Sequence, residues 1–151
     1  MPSLEYEFTY RAALNPLIDI GAGPYGNRIV GEVIGGDFSG PRLKGKVLSG
    51  GADWALVGAD GRLRIDVRLQ LLSDDGAAIY LAYYGILEFN EKMQQALAQG
   101  GGTEFADHYW RTNPRFETGH PKYAWMNHGV FIGEGRMLPG RIAEYRVYRV
   151  S

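Results

Sequence analysis

The feature that most constrains the fold is a run of strict alternation from Leu63 to Leu71. The odd-numbered positions of this run are apolar, and the even-numbered positions between them are polar. Because successive side chains of a β-strand point to opposite faces of its sheet, the run predicts a strand with one buried and one polar face. Asp60-Gly61 before it and Ser73–Gly76 after it are typical of hairpin turns, which indicates antiparallel neighbours.

Shorter runs of the same kind recur along the chain. Tyr6, Phe8 and Tyr10 share one parity near the start, residues 79–89 are rich in Tyr, and residues 141–150 form a predicted terminal strand. The 22 glycines supply many of the turns between such runs. The sequence therefore predicts an all-β chain of roughly eight to ten strands.

One segment, residues 91–99, has a helical pattern instead. Asn90 is a suitable N-cap, an apolar stripe begins at Met93, and Gly100–Gly102 should end the helix. Many short strands with only one short helix are typical of an antiparallel barrel or a two-sheet sandwich.

A closed barrel is the favoured prediction of the two. Gly85 falls within a predicted strand, where a closing sheet has to bend, and the first and last predicted strands could pair to complete the closure. Polar and aromatic residues on the alternating faces suit a lined cavity. We therefore expect residues 1–151 to form a single compact antiparallel β-barrel domain, with the sandwich as the alternative.

Composition limits the chemistry and the partners. The absence of cysteine excludes disulfides, thiolate nucleophiles and zinc–thiolate sites. With 16 Lys and Arg against 17 Asp and Glu, the chain lacks the positive excess that nucleic acids or anionic membranes attract. Neither a signal peptide nor a transmembrane window is visible. We expect a cytoplasmic protein whose partner is a small molecule, with no nucleic acid or membrane.

No sequence motif indicates a metal or a cofactor. Gly21–Gly26 has the spacing of a dinucleotide-binding loop, but no helical pattern follows it and Pro24 lacks an amide hydrogen, so a plain turn is favoured. His108, His120 and His128 are scattered and show no metal-ligand spacing. We therefore expect no cofactor.

The polar face of the Leu63–Leu71 strand carries the first candidate site residues, Asp66 and Arg68. If this face lines a cavity, the pair could orient a polar substrate, and a desolvated carboxylate beside arginine could act as a base. If it meets solvent, it is an ordinary charged surface. The sequence leaves this choice open, because a shift of register by one residue exchanges the two faces.

Aromatic residues next to polar ones provide further candidates. Tyr83 and Tyr84 point to opposite faces, so that one of them faces the interior, and a strand predicted for residues 123–132 places its odd-numbered residues on one face. Such side chains suit a pocket that stacks a ring and bonds its oxygens, although they suit core packing as well. These candidates are Asp53, Trp54, Tyr84, Tyr109, Arg111, Trp125 and Asn127.

Together, these segments resemble the UPF0311 family, also called DUF3237. The resemblance covers nearly the whole chain and rests on Gly45–Trp54, Leu63–Arg68, Ser73–Ile79, Tyr84-Gly85, Tyr109–Thr118 and Tyr123–Asn127. It implies a compact barrel similar to those of allene oxide cyclase and dirigent proteins. It also adds Glu117 to the residues able to face a cavity.

The resemblance implies a cofactor-independent enzyme that cyclises, isomerises or eliminates on an oxygenated aromatic or cyclic metabolite. The catalytic candidates are Asp53, Asp66, Arg68 and Tyr84. The substrate-binding candidates are Trp54, Tyr109, Arg111, Glu117, Trp125 and Asn127. The alternatives are a lipocalin-like carrier barrel without chemistry, and a structural protein whose exposed aromatics form a subunit contact. A homo-oligomer is compatible with all three.

Overall fold

The computed structural model describes residues 1–151, which form eleven strands, one α-helix and two 3₁₀ segments. The helix, α1, is Glu91–Gln99, and the 3₁₀ segments are Phe105–Asp107 and Pro121–His128. The strands are β1 (Leu4–Leu14), β2 (Ile18–Gly23), β3 (Gly26–Ser39), β4 (Lys44–Val47), β5 (Gly51–Val57), β6 (Arg62–Ser73), β7 (Ala78–Glu88), β8 (Trp110–Thr112), β9 (Arg115–Glu117), β10 (Val130–Leu138) and β11 (Ile142–Val150).

The antiparallel pairing of these strands returns to its starting point. It runs in the order β6–β5–β3–β1–β11–β10–β8–β7, and the pairing of β7 with β6 closes the ring. The two terminal strands pair along most of their length, from Leu4 with Val150 to Ala13 with Ile142. The predictions of an antiparallel barrel and of terminal strand pairing are confirmed.

The predicted alternation of β6 is present in the structure. Every odd-numbered residue from Leu63 to Leu71 is buried, and the residues between them point outward. In β1 the alternation is broken by a bulge between Tyr6 and Phe8. Tyr6 is therefore exposed rather than sharing the interior with Phe8, since an extra residue in a strand reverses the face of those before it.

The barrel interior has two ends of different character. At the packed end, four phenylalanine rings fill the space: Phe8, Phe38, Phe116 and Phe131. At the hollow end, polar aromatic rings surround a cavity. Gly135 is required there, because a Cβ at this position would stand 2.5 Å from the indole ring of Trp110.

Helix α1 lies beside the hollow end, and its predicted bounds of 91–99 are confirmed. The side chain of Asn90 accepts a hydrogen bond from the Met93 amide at 3.1 Å, and Gly100 ends the helix in the left-handed conformation with φ of 68°. The helix residues Met93 and Ala96 are buried. No helix in the fold has the length and apolarity needed to cross a membrane.

The strand predicted for residues 123–132 is wrong over its first half. Residues 121–128 form a 3₁₀ segment, and β10 begins only at Val130. Pro121 occupies the start of this segment, where its fixed φ favours a helical turn, and the ring of His120 accepts the Lys122 amide. The Tyr123 hydroxyl then bonds both oxygens of Asp75, at 2.9 and 2.8 Å, and ties the segment to the β6–β7 hairpin.

Candidate functional site

The hollow end of the barrel contains a cavity of about 60 Å³. Its lining is hydrophobic apart from Gly31 and Asp53, and it contains no Lys, Arg or His. The lining residues come from most of the barrel strands and from α1: Ala12, Leu14, Leu17, Ile29, Gly31, Val33, Asp53, Ala55, Leu63, Ile65, Val67, Tyr83, Leu87, Met93, Leu97, Trp110, Met137, Ala143 and Tyr145. A single carboxyl group therefore faces an apolar space.

Asp53 lies in β5, with Gly31 of β3 opposite it on one side and Val67 of β6 on the other. A side chain at position 31 would fill the space between Leu17 and Asp53, because a Cβ there would stand 3.2 Å from Leu17 Cδ2 and 3.9 Å from Asp53 Cβ. Glycine leaves this space open. Beyond the Val67 pair the β5–β6 pairing is interrupted, and the amide of Asp66 donates to Asp53 Oδ1 at 3.0 Å. Asp53 Oδ2 makes no hydrogen bond within the protein and is available to a ligand.

The environment of Asp53 changes its acidity. Burial raises the pKa of this carboxyl from 3.8 to about 7. The hydrogen bond from the Asp66 amide lowers the pKa in part, and the negative charge of Asp66 raises it again. Since no cation lines the cavity to stabilise the carboxylate, Asp53 is present in both protonation states near neutral pH.

Aromatic side chains supply the other polar atoms at the hollow end. The ring of Tyr145 stacks on Tyr10 with a centroid distance of 4.9 Å, and it meets Tyr83 and Trp110 edge-on at 5.2 and 5.3 Å. Burial raises the pKa of all three tyrosines well above 10, so their hydroxyls remain protonated donors. Tyr83, Tyr145 and Trp110 line the cavity, whereas Tyr10 lies behind them.

Two of these polar groups have no partner. The Trp110 Nε1 and the Tyr10 hydroxyl are buried without a hydrogen bond of normal geometry in the protein, and the hydroxyls of Tyr145 and Tyr83, respectively, lie close to them. An unpaired buried donor costs about 1–3 kcal/mol, so such groups are rare unless a ligand or water satisfies them. Asp53 gives the cavity one proton acceptor, and Tyr83, Trp110 and Tyr145 give it donors around an apolar centre, an arrangement suited to general acid–base chemistry.

An outer cleft of about 350 Å³ adjoins the cavity, and we call it the vestibule. Leu14, Leu17, Ile29 and Leu97 line both spaces, so the two meet between the β1–β2 connection and α1. The remaining vestibule residues are Pro16, Asp19, Phe89, Ala98 and Arg141.

Three of the four predicted catalytic residues lie on the outer face of the barrel. Asp66 and Arg68 point outward because the inward positions of β6 are occupied by apolar side chains. The polar face of β6 therefore does not line the cavity. The contact of Asp66 with the site is the hydrogen bond from its backbone amide to Asp53. Tyr84 is 55% exposed, and its neighbour Tyr83 is the one that faces the interior.

Four predicted binding residues also lie outside the cavity. Trp54 is 50% exposed, on the opposite face of β5 from Asp53. Tyr109 and Arg111 border an outer groove of about 660 Å³ that also includes Tyr84. The Arg111 guanidinium lies 5.4 Å from the Tyr109 ring, and 3.9 Å from Glu134. Glu117 lines a second outer groove, of about 750 Å³.

Trp125 and Asn127 have structural contacts in the 3₁₀ segment. Trp125 is covered by the guanidinium of Arg42, which lies 3.6 Å from its ring centroid. Asn127 accepts from the Thr118 amide and donates to the Thr118 carbonyl, both at 2.9 Å. The structure therefore brings only Asp53 of the ten predicted residues into the cavity, and it places no arginine there.

Tyr83, Tyr145 and Trp110 are the cavity residues that the sequence-based candidates omit. For Tyr83 a signal is present, because it shares its parity with the apolar residues Ile79 and Leu81 of the same strand. No comparable pattern identifies Trp110, whose three-residue strand is too short to show an alternation.

The structure contains no group of three or more His, Asp or Glu side chains placed to hold a metal ion. His108 is buried, and its Nε2 lies 2.8 Å from the Thr103 hydroxyl, which identifies it as part of the packing beside α1.

The sequence profile of the family described as "Protein of unknown function (DUF3237)" matches residues 2–150. The chain belongs to the DUF3237 family. A UPF0311 protein of Rhodopseudomonas palustris is 33% identical over 143 residues, which cover 93% of this chain and 94% of the relative. A UPF0311 protein of Clostridium acetobutylicum is 37% identical over 129 residues, which cover 83% and 79% of the two chains.

Solved structures share the DUF3237 fold described above. A conserved protein of unknown function from R. palustris matches with a TM-score of 0.91 and 28% identity, covering 100% of this chain and 99% of that one. A β-barrel-like protein from Acinetobacter baumannii matches with a TM-score of 0.82 and 34% identity, covering 100% and 97%. An enzyme from Penicillium herquei has a TM-score of 0.73 at 22% identity, covering 99% and 95%, and shares the fold.

Proposed function

We propose that this protein is a cofactor-independent acid–base enzyme whose substrate, an oxygenated aromatic or cyclic metabolite, extends from the vestibule of about 350 Å³ into the cavity of about 60 Å³. The observation that carries the proposal is the single carboxyl of Asp53 in an apolar cavity, with a pKa of about 7. A general base works best when its pKa lies near the working pH. Burial brings Asp53 into that range and leaves its Oδ2 without a protein partner.

The first step would be removal of a proton from a carbon next to a carbonyl group. Asp53 Oδ2 takes the proton, the electron pair of the C–H bond forms a carbon–carbon double bond, and the carbonyl oxygen gains the negative charge. Tyr83, Tyr145 and Trp110 line the cavity, and their hydroxyls and indole N–H are the candidate donors to this oxygen. In an apolar site, such fixed donors stabilise the developing oxyanion strongly.

The resulting enolate can react in three ways, which correspond to isomerisation, elimination and cyclisation. Return of the proton from Asp53 to another conjugated carbon completes an isomerisation. Departure of a group from the neighbouring carbon completes an elimination. Attack of the enolate carbon on an electrophile within the same molecule closes a ring. All three use the same base and the same donors, so the cavity supports the class of chemistry and the substrate selects among its members.

A carrier barrel without chemistry is the second candidate. The almost entirely hydrophobic lining favours it, because burial of an apolar ligand requires no catalytic group. The two candidates differ over Asp53, since an unpaired carboxyl weakens the binding of an apolar ligand and has no use in a simple carrier. Self-association into a homo-oligomer stays a prediction under either candidate.

Deuterium exchange into a small cyclic ketone tests the proposed function. 1-Indanone in D₂O exchanges the protons next to its carbonyl when a base removes them, and NMR follows their loss. We expect catalysis by the wild type, a decrease of about 100-fold or more in Asp53→Asn, and a decrease of about tenfold in Tyr83→Phe. The wild-type rate should fall below about pH 7, where Asp53 becomes protonated.

Glu32→Gln is the matched control, because it removes a carboxyl from the outer face of β3 beside Gly31 that does not contribute to the pKa of Asp53. It should exchange deuterium as the wild type does. Exchange that is equally fast in Asp53→Asn would exclude Asp53 as the base, and a wild type no faster than Asp53→Asn would contradict the proposal. Binding of 1-indanone without exchange would favour the carrier.

A further inference from the structure

The vestibule contains a cation that the rest of the structure does not use. Arg141 lies in the turn between β10 and β11, and its guanidinium forms no ion pair and no hydrogen bond. Most of the other arginines on the barrel surface are paired with carboxylates; Arg136, for example, bonds Glu144 at 2.7 Å. A half-buried, unpaired guanidinium beside an apolar cavity is available to an anion.

The backbone at Arg141 is unusual as well. It is the only residue other than glycine with positive φ, at 60°, a conformation that glycine or asparagine adopts at lower cost. The turn is fixed on both sides of the vestibule, because the Leu14 amide donates to the Arg141 carbonyl at 2.9 Å and the Gly140 amide donates to the Gly100 carbonyl at 3.0 Å. Strained residues of this kind are enriched at ligand sites.

The other charged group of the vestibule is already engaged. Asp19 Oδ1 accepts from the Gly21 amide and from the Asn27 side chain, both at 2.9 Å, which holds this carboxylate against the β2–β3 hairpin. The remaining vestibule residues are apolar. An entering molecule therefore meets hydrophobic walls that continue into the cavity, a carboxylate held by neutral donors at Asp19, and an unpaired guanidinium at Arg141.

We propose that Arg141 binds an acidic group of the substrate, so that the substrate class is an aromatic or cyclic carboxylate whose ring extends from the vestibule into the cavity and whose anion lies beside Arg141 in the vestibule. This inference rests on the proposed function in one respect, namely that the cavity receives the ring. Arginine suits the task because its planar guanidinium can donate two parallel hydrogen bonds to a carboxylate. The arrangement would also orient the ring toward Asp53.

The test compares two ligands that differ in charge. trans-Cinnamate and its uncharged amide, cinnamamide, have the same ring and nearly the same size. Calorimetric titration at about pH 6 keeps the cinnamate ionised and Asp53 mainly protonated. We expect the wild type to bind cinnamate roughly five- to tenfold more tightly than the amide, a preference that decreases as salt is added.

Two variants of Arg141 and one control complete the design. Arg141→Asn suits the positive φ and removes the charge, so it should fold and bind the two ligands equally, whereas Arg141→Lys should keep part of the preference. Arg115→Gln, which removes another unpaired arginine from the outer face of β9, should behave as the wild type.

The outcomes separate this inference from the proposed function. If Arg141→Asn keeps the preference for cinnamate, or only lowers the thermal stability, Arg141 serves the turn and the end of α1, and the inference is overturned. Equal binding of both ligands by the wild type overturns it too, while leaving the deuterium-exchange test of Asp53 unaffected. Binding of neither ligand to the wild type would contradict the inference and would also weigh against the cavity as a ring-binding site.

Discussion

The packed end and the hollow end of the barrel are built from different aromatic residues. At the packed end, the Phe8 ring lies 6.0 Å from Phe38 and 5.6 Å from Phe116. At the hollow end, tyrosine and tryptophan replace phenylalanine around Asp53. The closed sheet is continuous through both, so one end can supply rigidity while the other holds unpaired polar groups that weaken packing.

Two carboxyls on opposite faces of the sheet, Glu144 and Asp53, differ in the same way. Glu144, on the outer face, is 5% exposed and is held between Arg11 at 2.8 Å and Arg136 at 2.7 Å. Asp53, on the inner face, has one backbone donor and no cation. Both carboxylate oxygens of Glu144 are held by arginines and are not available to a ligand. Asp53 has a raised pKa and an oxygen without a protein partner. The comparison identifies Asp53 as a group maintained at a cost in stability.

Truncation of Phe8 should have the largest effect on stability. Phe8→Ala removes a fully buried ring from the packed end, and we expect the free energy of unfolding to fall by about 3–5 kcal/mol. Urea denaturation measures this loss. A decrease below about 1 kcal/mol would show that the packed end is not the stable part of the barrel.

Asp53→Asn should stabilise the protein in a pH-dependent way. The folded state holds the Asp53 proton up to about pH 7, whereas the unfolded chain releases it near pH 4, so the wild type loses stability as the pH rises between these values. The difference between a pKa of 3.8 and one of about 7 corresponds to at most about 4 kcal/mol in the free energy of unfolding. The variant should regain this stability at pH 8.

The same variant should differ little from the wild type near pH 4, where Asp53 is protonated in the folded state and mostly protonated in the unfolded chain. Urea denaturation at both pH values measures the difference, with Glu32→Gln as the control that keeps the wild-type pH dependence. A stability gain independent of pH, or a loss at pH 8, would contradict a desolvated Asp53.

The smallest effect is expected where the two ends meet. Tyr10 is fully buried, its ring lies 6.1 Å from Phe8, and its hydroxyl has no partner. Tyr10→Phe removes this unsatisfied group without changing the ring, so stability should rise by about 1 kcal/mol. Thermal denaturation checks it, and a clear loss of stability would show that the hydroxyl is bonded in solution.

Local patterns predicted most of the fold. The alternation of β6 and the cap residues around α1 act over a few neighbours, so the sequence displays them directly. The alternation of aromatic residues with others predicts a strand over residues 123–132, and the first six of these residues lie in the segment Pro121–His128. The structure forms a 3₁₀ turn there, since Pro121 and the bond from Tyr123 to Asp75 outweigh that weak pattern.

The candidate site could be predicted only in part. The position of Asp53 beside Trp54 indicates a candidate site residue. The sequence patterns indicate the outer-face residues Asp66, Arg68 and Tyr84 equally well. Short-range spacing does not say which face of a strand is inside until all the strands are paired. The bulge between Tyr6 and Phe8 shows how one extra residue reverses that choice.

By itself, the sequence determined an antiparallel, nearly all-β fold with one short helix and favoured a closed barrel over a sandwich, because hydrophobic periodicity and turn residues are local properties. Only the tertiary structure decided that Asp53 of β5, Tyr83 of β7 and Tyr145 of β11 share one cavity, and that Arg141 stands at its rim. Closure of the ring brings these distant strands together. The acidity of Asp53 follows from the water that this closure removes, a quantity that no single stretch of sequence contains.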